Sequence, residues 1–132
     1  GRSNLKRVFN ELGGKSAFIV FDDFADIERA AKTVAASLFF NQGESCNAPS
    51  RVLVHERIAK RFTEIVAAEA LQYAPGHPLD PGTVLGAIVD EPQMGTVLRY
   101  IEAGKSEGAR LVTGGRRVMQ DSGGFYVEPT VF

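Results

Sequence analysis

Ala17-Phe18-Ile19-Val20-Phe21-Asp22-Asp23-Phe24-Ala25-Asp26-Ile27-Glu28-Arg29-Ala30-Ala31-Lys32-Thr33-Val34-Ala35-Ala36-Ser37-Leu38-Phe39 is the stretch on which the fold turns. It opens with five apolar residues in a row, the length of one strand. An unbroken apolar run of that length suits a strand buried on both faces, as in a parallel sheet with helices on each side. Asp26 is an acceptable helix N-cap. From Ile27 the apolar residues Ala30, Ala31, Val34, Ala35, Leu38 and Phe39 recur at i+3, i+4, i+7, i+8, i+11 and i+12. That spacing predicts an amphipathic helix over 26–41, stopped by Asn41 and Gly43.

The same alternation continues on both sides. Leu5-Lys6-Arg7-Val8-Phe9 has strand character, and Leu12-Gly13-Gly14 allows a tight turn or a close backbone approach. Arg51-Val52-Leu53-Val54-His55 is another short β-type run. Ile58, Phe62, Ile65, Val66, Ala70 and Tyr73 form a second helical stripe. Five Pro and Gly residues between Ala74 and Thr83 predict a loop. Asp90 and Pro92 predict the start of a third helix with the stripe Met94, Val97, Leu98 and Ile101, ended by Gly104 or Gly108. Leu111-Val112-Thr113 and Phe125-Tyr126-Val127 are predicted strands around a polar loop, 114–124. Strands alternating with helices predict an α/β class: a layered domain with a mainly parallel sheet flanked by helices.

Composition narrows the function. Fifteen Lys and Arg against sixteen Asp and Glu leave a net charge of −1, which offers no electrostatic case for nucleic acid or an anionic membrane surface. No apolar run approaches the roughly 20 residues needed to span a bilayer. A single Cys makes no internal disulfide, so a reducing, cytoplasmic setting is expected. No His/Cys/Asp/Glu spacing fits a metal site. At 132 residues the chain is one domain. It opens without Met and ends inside an apolar run, Thr130-Val131-Phe132, and is expected to be a piece of a longer protein. Gly13-Gly14-Lys15-Ser16 does not complete a phosphate-binding loop, because the required first glycine falls on Phe9.

Two residues carry candidate chemistry. Cys46 lies in a polar, Gly-containing junction, Asn41 to Ser50, just past the first long helix. From position alone it is either a filler at a helix end or a reactive thiol. Glu11 follows a β-type run and precedes two glycines. It is either a solvated surface carboxylate or one projecting from a strand end, where α/β proteins place their sites. Together a thiol and a carboxylate can supply a nucleophile and a water-activating base.

The two motifs in order, Glu11-Leu12-Gly13-Gly14-Lys15-Ser16 and then Phe39-Phe40-Asn41-Gln42-Gly43-Glu44-Ser45-Cys46, resemble the aldehyde dehydrogenase superfamily. Pro78-Leu79-Asp80-Pro81-Gly82-Thr83, Gly114-Gly115 and Gly124-Phe125-Tyr126-Val127-Glu128-Pro129-Thr130-Val131-Phe132 extend the resemblance over essentially the whole chain. Asn10, Ala17-Phe18 and Ala87 depart from the usual pattern. The resemblance implies a partial catalytic domain over 1–132, with the family's dinucleotide-binding domain absent from these residues.

It implies Cys46 as the nucleophile that attacks an aldehyde. The Cys46 backbone N–H and an Asn side chain from outside these residues would hold the oxyanion. NAD or NADP would accept the hydride, and Glu11 would activate water against the resulting thioester. Leu12 and Gly13 would lie near the nicotinamide, and Ser45 and Asn47 would shape the aldehyde pocket. Lys15 and Glu128 match motif positions, with a salt bridge or a sheet-end role expected for each. The Phe39–Ser50 stretch looks most like members acting on aminoaldehydes, the gamma-glutamylaminobutyraldehyde dehydrogenases among them. A homo-oligomer is expected. One alternative is a folded fragment or interaction module, inactive alone because it lacks a seat for the dinucleotide. Another is a cysteine hydrolase, which needs His55 or His77 beside the thiol.

Overall fold

The computed structural model describes residues 4–132. Its elements are β1 (Ala17–Val20), α1 (Ile27–Phe39), β2 (Arg51–Val54), α2 (Glu56–Ala70), α3 (Glu91–Ser106), β3 (Arg117–Val118) and β4 (Tyr126–Val127). Short 3-10 turns follow α1 at Phe40–Gly43 and α2 at Leu71–Tyr73, and another lies at Gln120–Ser122.

β1 and β2 pair in parallel, with Ala17 opposite Arg51 and Val20 opposite Val54. Parallel neighbours need a long crossover, and α1 supplies it. Asp26 caps α1 by accepting a hydrogen bond from the Arg29 N–H at 2.9 Å. The α1 stripe and the α2 stripe then pack on one face of the strand pair. Val20, Ala30, Ala31, Val34, Phe62 and Val66 are buried there, with Phe18, Val52 and Val54 against them. A second cluster, Ala35, Phe39, Ala70 and Leu85, ties the ends of both helices to the loop that follows. Asp90 caps α3 through the Gln93 N–H at 2.8 Å, and Met94 and Ile101 pack with Ile88 and Val127.

The structure corrects four expectations. Residues 5–9 form no strand; they are exposed and without regular structure, because no neighbouring strand is present to take their backbone hydrogen bonds. The 17–21 run is buried on one face only. Side chains alternate across a strand, so Phe18 and Val20 face the helices while Ile19 and Phe21 stay 59% and 65% exposed. Leu111–Thr113 contributes one isolated bridge, Thr113 to Val131. The polar stretch 114–124 is not all loop, since Arg117–Val118 pairs antiparallel with Tyr126–Val127. The parallel sheet is therefore small, and a short antiparallel hairpin stands beside α3.

That hairpin is closed by an ion pair. The Arg116 guanidinium donates to both carboxylate oxygens of Glu128, at 2.9 and 3.1 Å. These hydrogen bonds, with the positive charge, hold the Glu128 carboxyl below its ordinary value. A carboxyl depressed in the folded state stabilises the fold above its unfolded value, about 4.3, and ceases to as pH falls through the folded value. Arg116→Met should therefore lower the melting temperature at pH 7, with the difference from the parent vanishing as the solution is acidified below about pH 4. A difference that stayed constant down to pH 2 would exclude the pair as its source.

Candidate active site

The segment that presents Cys46 begins with an unusual end to α1. Asn41, Gln42 and Gly43 have φ values of 48°, 58° and 76°, three left-handed residues in succession. Glycine adopts that conformation freely and asparagine tolerates it, whereas Gln42 is strained there. Contacts from a distant loop hold it in place. With the Gln42 amide oriented so that its oxygen faces Gly86, the Gly86 N–H donates to it at 2.9 Å, and the Val89 N–H donates to Glu44 Oε1 at 3.2 Å. The chain then makes a four-residue turn closed by the Ala48 N–H on the Ser45 carbonyl, at 3.0 Å. Cys46 and Asn47 are its two central residues, so both side chains are exposed. Ala48 and Pro49 are buried and anchor the turn before β2 starts at Arg51.

The Glu11 segment arrives from the other strand. Two parallel strands begin at the same edge of the sheet, so the residues preceding β1 and those preceding β2 lie side by side. The Arg51 N–H donates to the Ser16 carbonyl at 3.3 Å. The Arg51 guanidinium donates to the Lys15 carbonyl through Nε at 3.1 Å and Nη2 at 2.8 Å. Gly14 lies directly against the Cys46 backbone carbonyl, so close that a Cβ there would overlap it. The two motifs, 35 residues apart in sequence, meet at this contact.

Placement of the individual residues is mixed. Glu11 is exposed and, among the described residues, forms no ion pair or hydrogen bond. It precedes β1 rather than following a strand, so the expectation of a strand's carboxyl end is corrected: the two segments meet at the amino end of β1 and β2. Leu12 is exposed, and nothing lies within 4 Å of a Cβ built on Gly13. Ser45 and Asn47 line an open cleft with Ser16, Phe18, Phe40 and Pro49. The Lys15 side chain forms no ion pair among the described residues; its carbonyl, at the sheet end, is the group that is held. Sequence reasoning passed over Arg51, Gln42 and Glu44, whose roles depend on partners remote in the chain.

His55 Nδ1 accepts from the Arg57 N–H at the start of α2, at 3.3 Å, and His77 Nδ1 accepts from the Leu79 N–H at 3.3 Å. Each imidazole is engaged as a local cap and neither is hydrogen-bonded to Cys46, so the arrangement lacks the thiol–imidazole pair of a cysteine hydrolase. Among the described residues no three His, Cys, Asp or Glu side chains gather to hold a metal ion, and no helix is long and apolar enough to cross a membrane.

A family model described as "Aldehyde dehydrogenase family" matches residues 1–132. The crystal structure of a gamma-glutamyl-gamma-aminobutyraldehyde dehydrogenase from Burkholderia cenocepacia J2315 is 58% identical, with a TM-score of 0.90 over 99% of this chain and 26% of that one. An indole-3-acetaldehyde dehydrogenase solved in complex with NAD+ is 53% identical, with a TM-score of 0.91 over 98% of this chain and 26% of that one. The mitochondrial benzaldehyde dehydrogenase of Antirrhinum majus is 46% identical over 131 residues, 99% of this chain and 24% of that protein. The chain thus spans about a quarter of the length of the relatives it matches.

Proposed function

The chain belongs to the aldehyde dehydrogenase family, and on that premise we propose that the protein it forms part of oxidises an aldehyde to a carboxylic acid. The Cys46 thiolate adds to the aldehyde carbon and forms a thiohemiacetal. Loss of hydride from that carbon leaves a thioester on Cys46 and one released proton. Glu11 takes a proton from water, the hydroxide equivalent adds to the thioester, and the acid leaves as the thiol is restored. The hydride acceptor is NAD or NADP, whose nicotinamide supplies the oxidant when bound. Leu12 and Gly13 would lie beside that ring, and the backbone at Gly13 is open.

The observation that carries this reading is the contact of Gly14 with the Cys46 carbonyl, which joins the segment of the base to that of the nucleophile. A base acting through one water need not touch the thiol, and an exposed carboxylate suits that task. We further propose an aminoaldehyde substrate, supported by the likeness to the Burkholderia enzyme. The cleft lined by Ser45 and Asn47, on either side of Cys46 in the chain, would receive the part of the substrate behind its reacting carbon. A cytoplasmic location and a homo-oligomeric assembly are part of the same reading. So is dependence on the rest of the longer protein, without which the dinucleotide has no seat and these 132 residues alone turn over no aldehyde.

The experiment is Glu11→Gln in the full-length protein. Steady-state acid production should fall about 10²-fold or more, while the first turnover still releases NADH or NADPH and a thioester accumulates on Cys46. Unchanged acid release removes Glu11 from the reaction.

A further inference from the structure

We infer that Arg51 is a positioning residue for the hydrolytic half of the reaction, acting through the backbone of the Glu11 segment. The inference rests on the reading of Glu11 as the base. Residues 11–15 have no regular structure and are exposed. Among the described residues, the only hydrogen bonds that reach them are the two from the Arg51 guanidinium to the Lys15 carbonyl, at 3.1 and 2.8 Å. Arg51 is also the first residue of β2, paired with Ala17 at the first position of β1. Its own N–H holds the next carbonyl, that of Ser16. One residue thus grips two successive carbonyls, immediately beyond the point where Gly14 meets Cys46.

The chemistry of the side chain suits this. A guanidinium presents several N–H donors in a rigid planar fork, so Nε and Nη2 reach one carbonyl oxygen together and fix its direction as well as its distance. An ammonium is a single flexible point of charge and does not impose that orientation. Cys46 is held independently, by the 45–48 turn and by the Gln42 and Glu44 contacts. Loss of the fork therefore loosens the base segment more than the nucleophile. The step that needs the nucleophile alone should survive, and the step that needs the base in place should not.

The test uses the full-length protein with Arg51→Met and Arg51→Lys, each alone and combined with Glu11→Gln. For Arg51→Met the expected result is a fall in kcat of about tenfold to hundredfold with KM for the aldehyde changed by less than about twofold. The first-turnover burst should be kept, and the acyl adduct on Cys46 should appear in the intact mass during turnover. Arg51→Lys should fall between parent and Arg51→Met. Adding Glu11→Gln to either should lower kcat little beyond Glu11→Gln alone, since both changes act at one step. Without substrate, proteolytic cleavage within residues 11–16 should be faster in Arg51→Met, while α1 stays uncut.

A burst that falls in parallel with kcat overturns the inference and makes Arg51 a general support of the fold. Full additivity of the two substitutions overturns it as well. If Glu11→Gln alone leaves acid release unchanged, the reading of Glu11 fails first and the role of Arg51 with it. Should Arg51→Met not fold, Arg51→Lys carries the burst, mass and additivity measurements by itself.

Discussion

Cys46→Ala in the full-length protein should abolish aldehyde-dependent reduction of NAD or NADP, with a loss of about 10⁴-fold or more. The loss should be in the first turnover as well as in the steady state, because no thiohemiacetal can form. Binding should survive: an aldehyde or its acid should still occupy the cleft, since Ser45, Asn47, Phe18 and Phe40 line it and Cys46 is not among its walls. The neighbouring Ser45 does not take over, as a hydroxyl is a weak nucleophile unless a base activates it, and neither imidazole is hydrogen-bonded nearby. Little stability should be lost, because the thiol is exposed and its turn is anchored by Ala48 and Pro49. Measured NADH formation above about 1% of the parent rate would falsify the assignment of the nucleophile.

Gly14→Ala should also be damaging, to a smaller extent and by a different route. The added methyl group overlaps the Cys46 backbone carbonyl. A carbonyl belongs to the main chain and does not rotate aside like a side chain, so one segment must shift bodily. A displacement on the order of 1 Å between reacting groups costs about 10²-fold in rate. Both half-reactions should slow, since the turn that holds the nucleophile and the segment that carries the base are pushed apart together. That separates Gly14→Ala from Glu11→Gln and from the Arg51 variants, in which the first turnover is kept. Pre-steady-state measurement of the burst rate distinguishes them, and a normal burst in Gly14→Ala would show that the contact does not govern the thiol.

Local patterns explain why so much was legible beforehand. The α1 stripe from Ile27 to Phe39, the Asp26 and Asp90 caps and the strand character of 17–20 and 51–54 all follow from periods and caps that neighbours in sequence set. So does Gly108, whose φ of 88° lies just past α3, while Gly104 stays inside the helix against Phe132. The misreadings share a cause. Leu5–Phe9 and Leu111–Thr113 have strand composition, but a strand exists only where a partner takes its hydrogen bonds. Arg117–Val118, in a polar stretch with no strand pattern, pairs because Tyr126–Val127 reaches it.

The site divides along the same line. Sequence alone determined the chemical types: one thiol, one carboxylate before two glycines, and helices and strands in an order that predicts a parallel pair. Only the tertiary structure decided that the two motifs meet. Parallel pairing brings the starts of β1 and β2 to one edge, and a glycine at position 14 lets the base segment touch the Cys46 carbonyl. Arg51, Gln42 and Glu44 acquire roles for the same reason. Their partners lie tens of residues away, and no local period or propensity encodes a contact that chain folding alone creates.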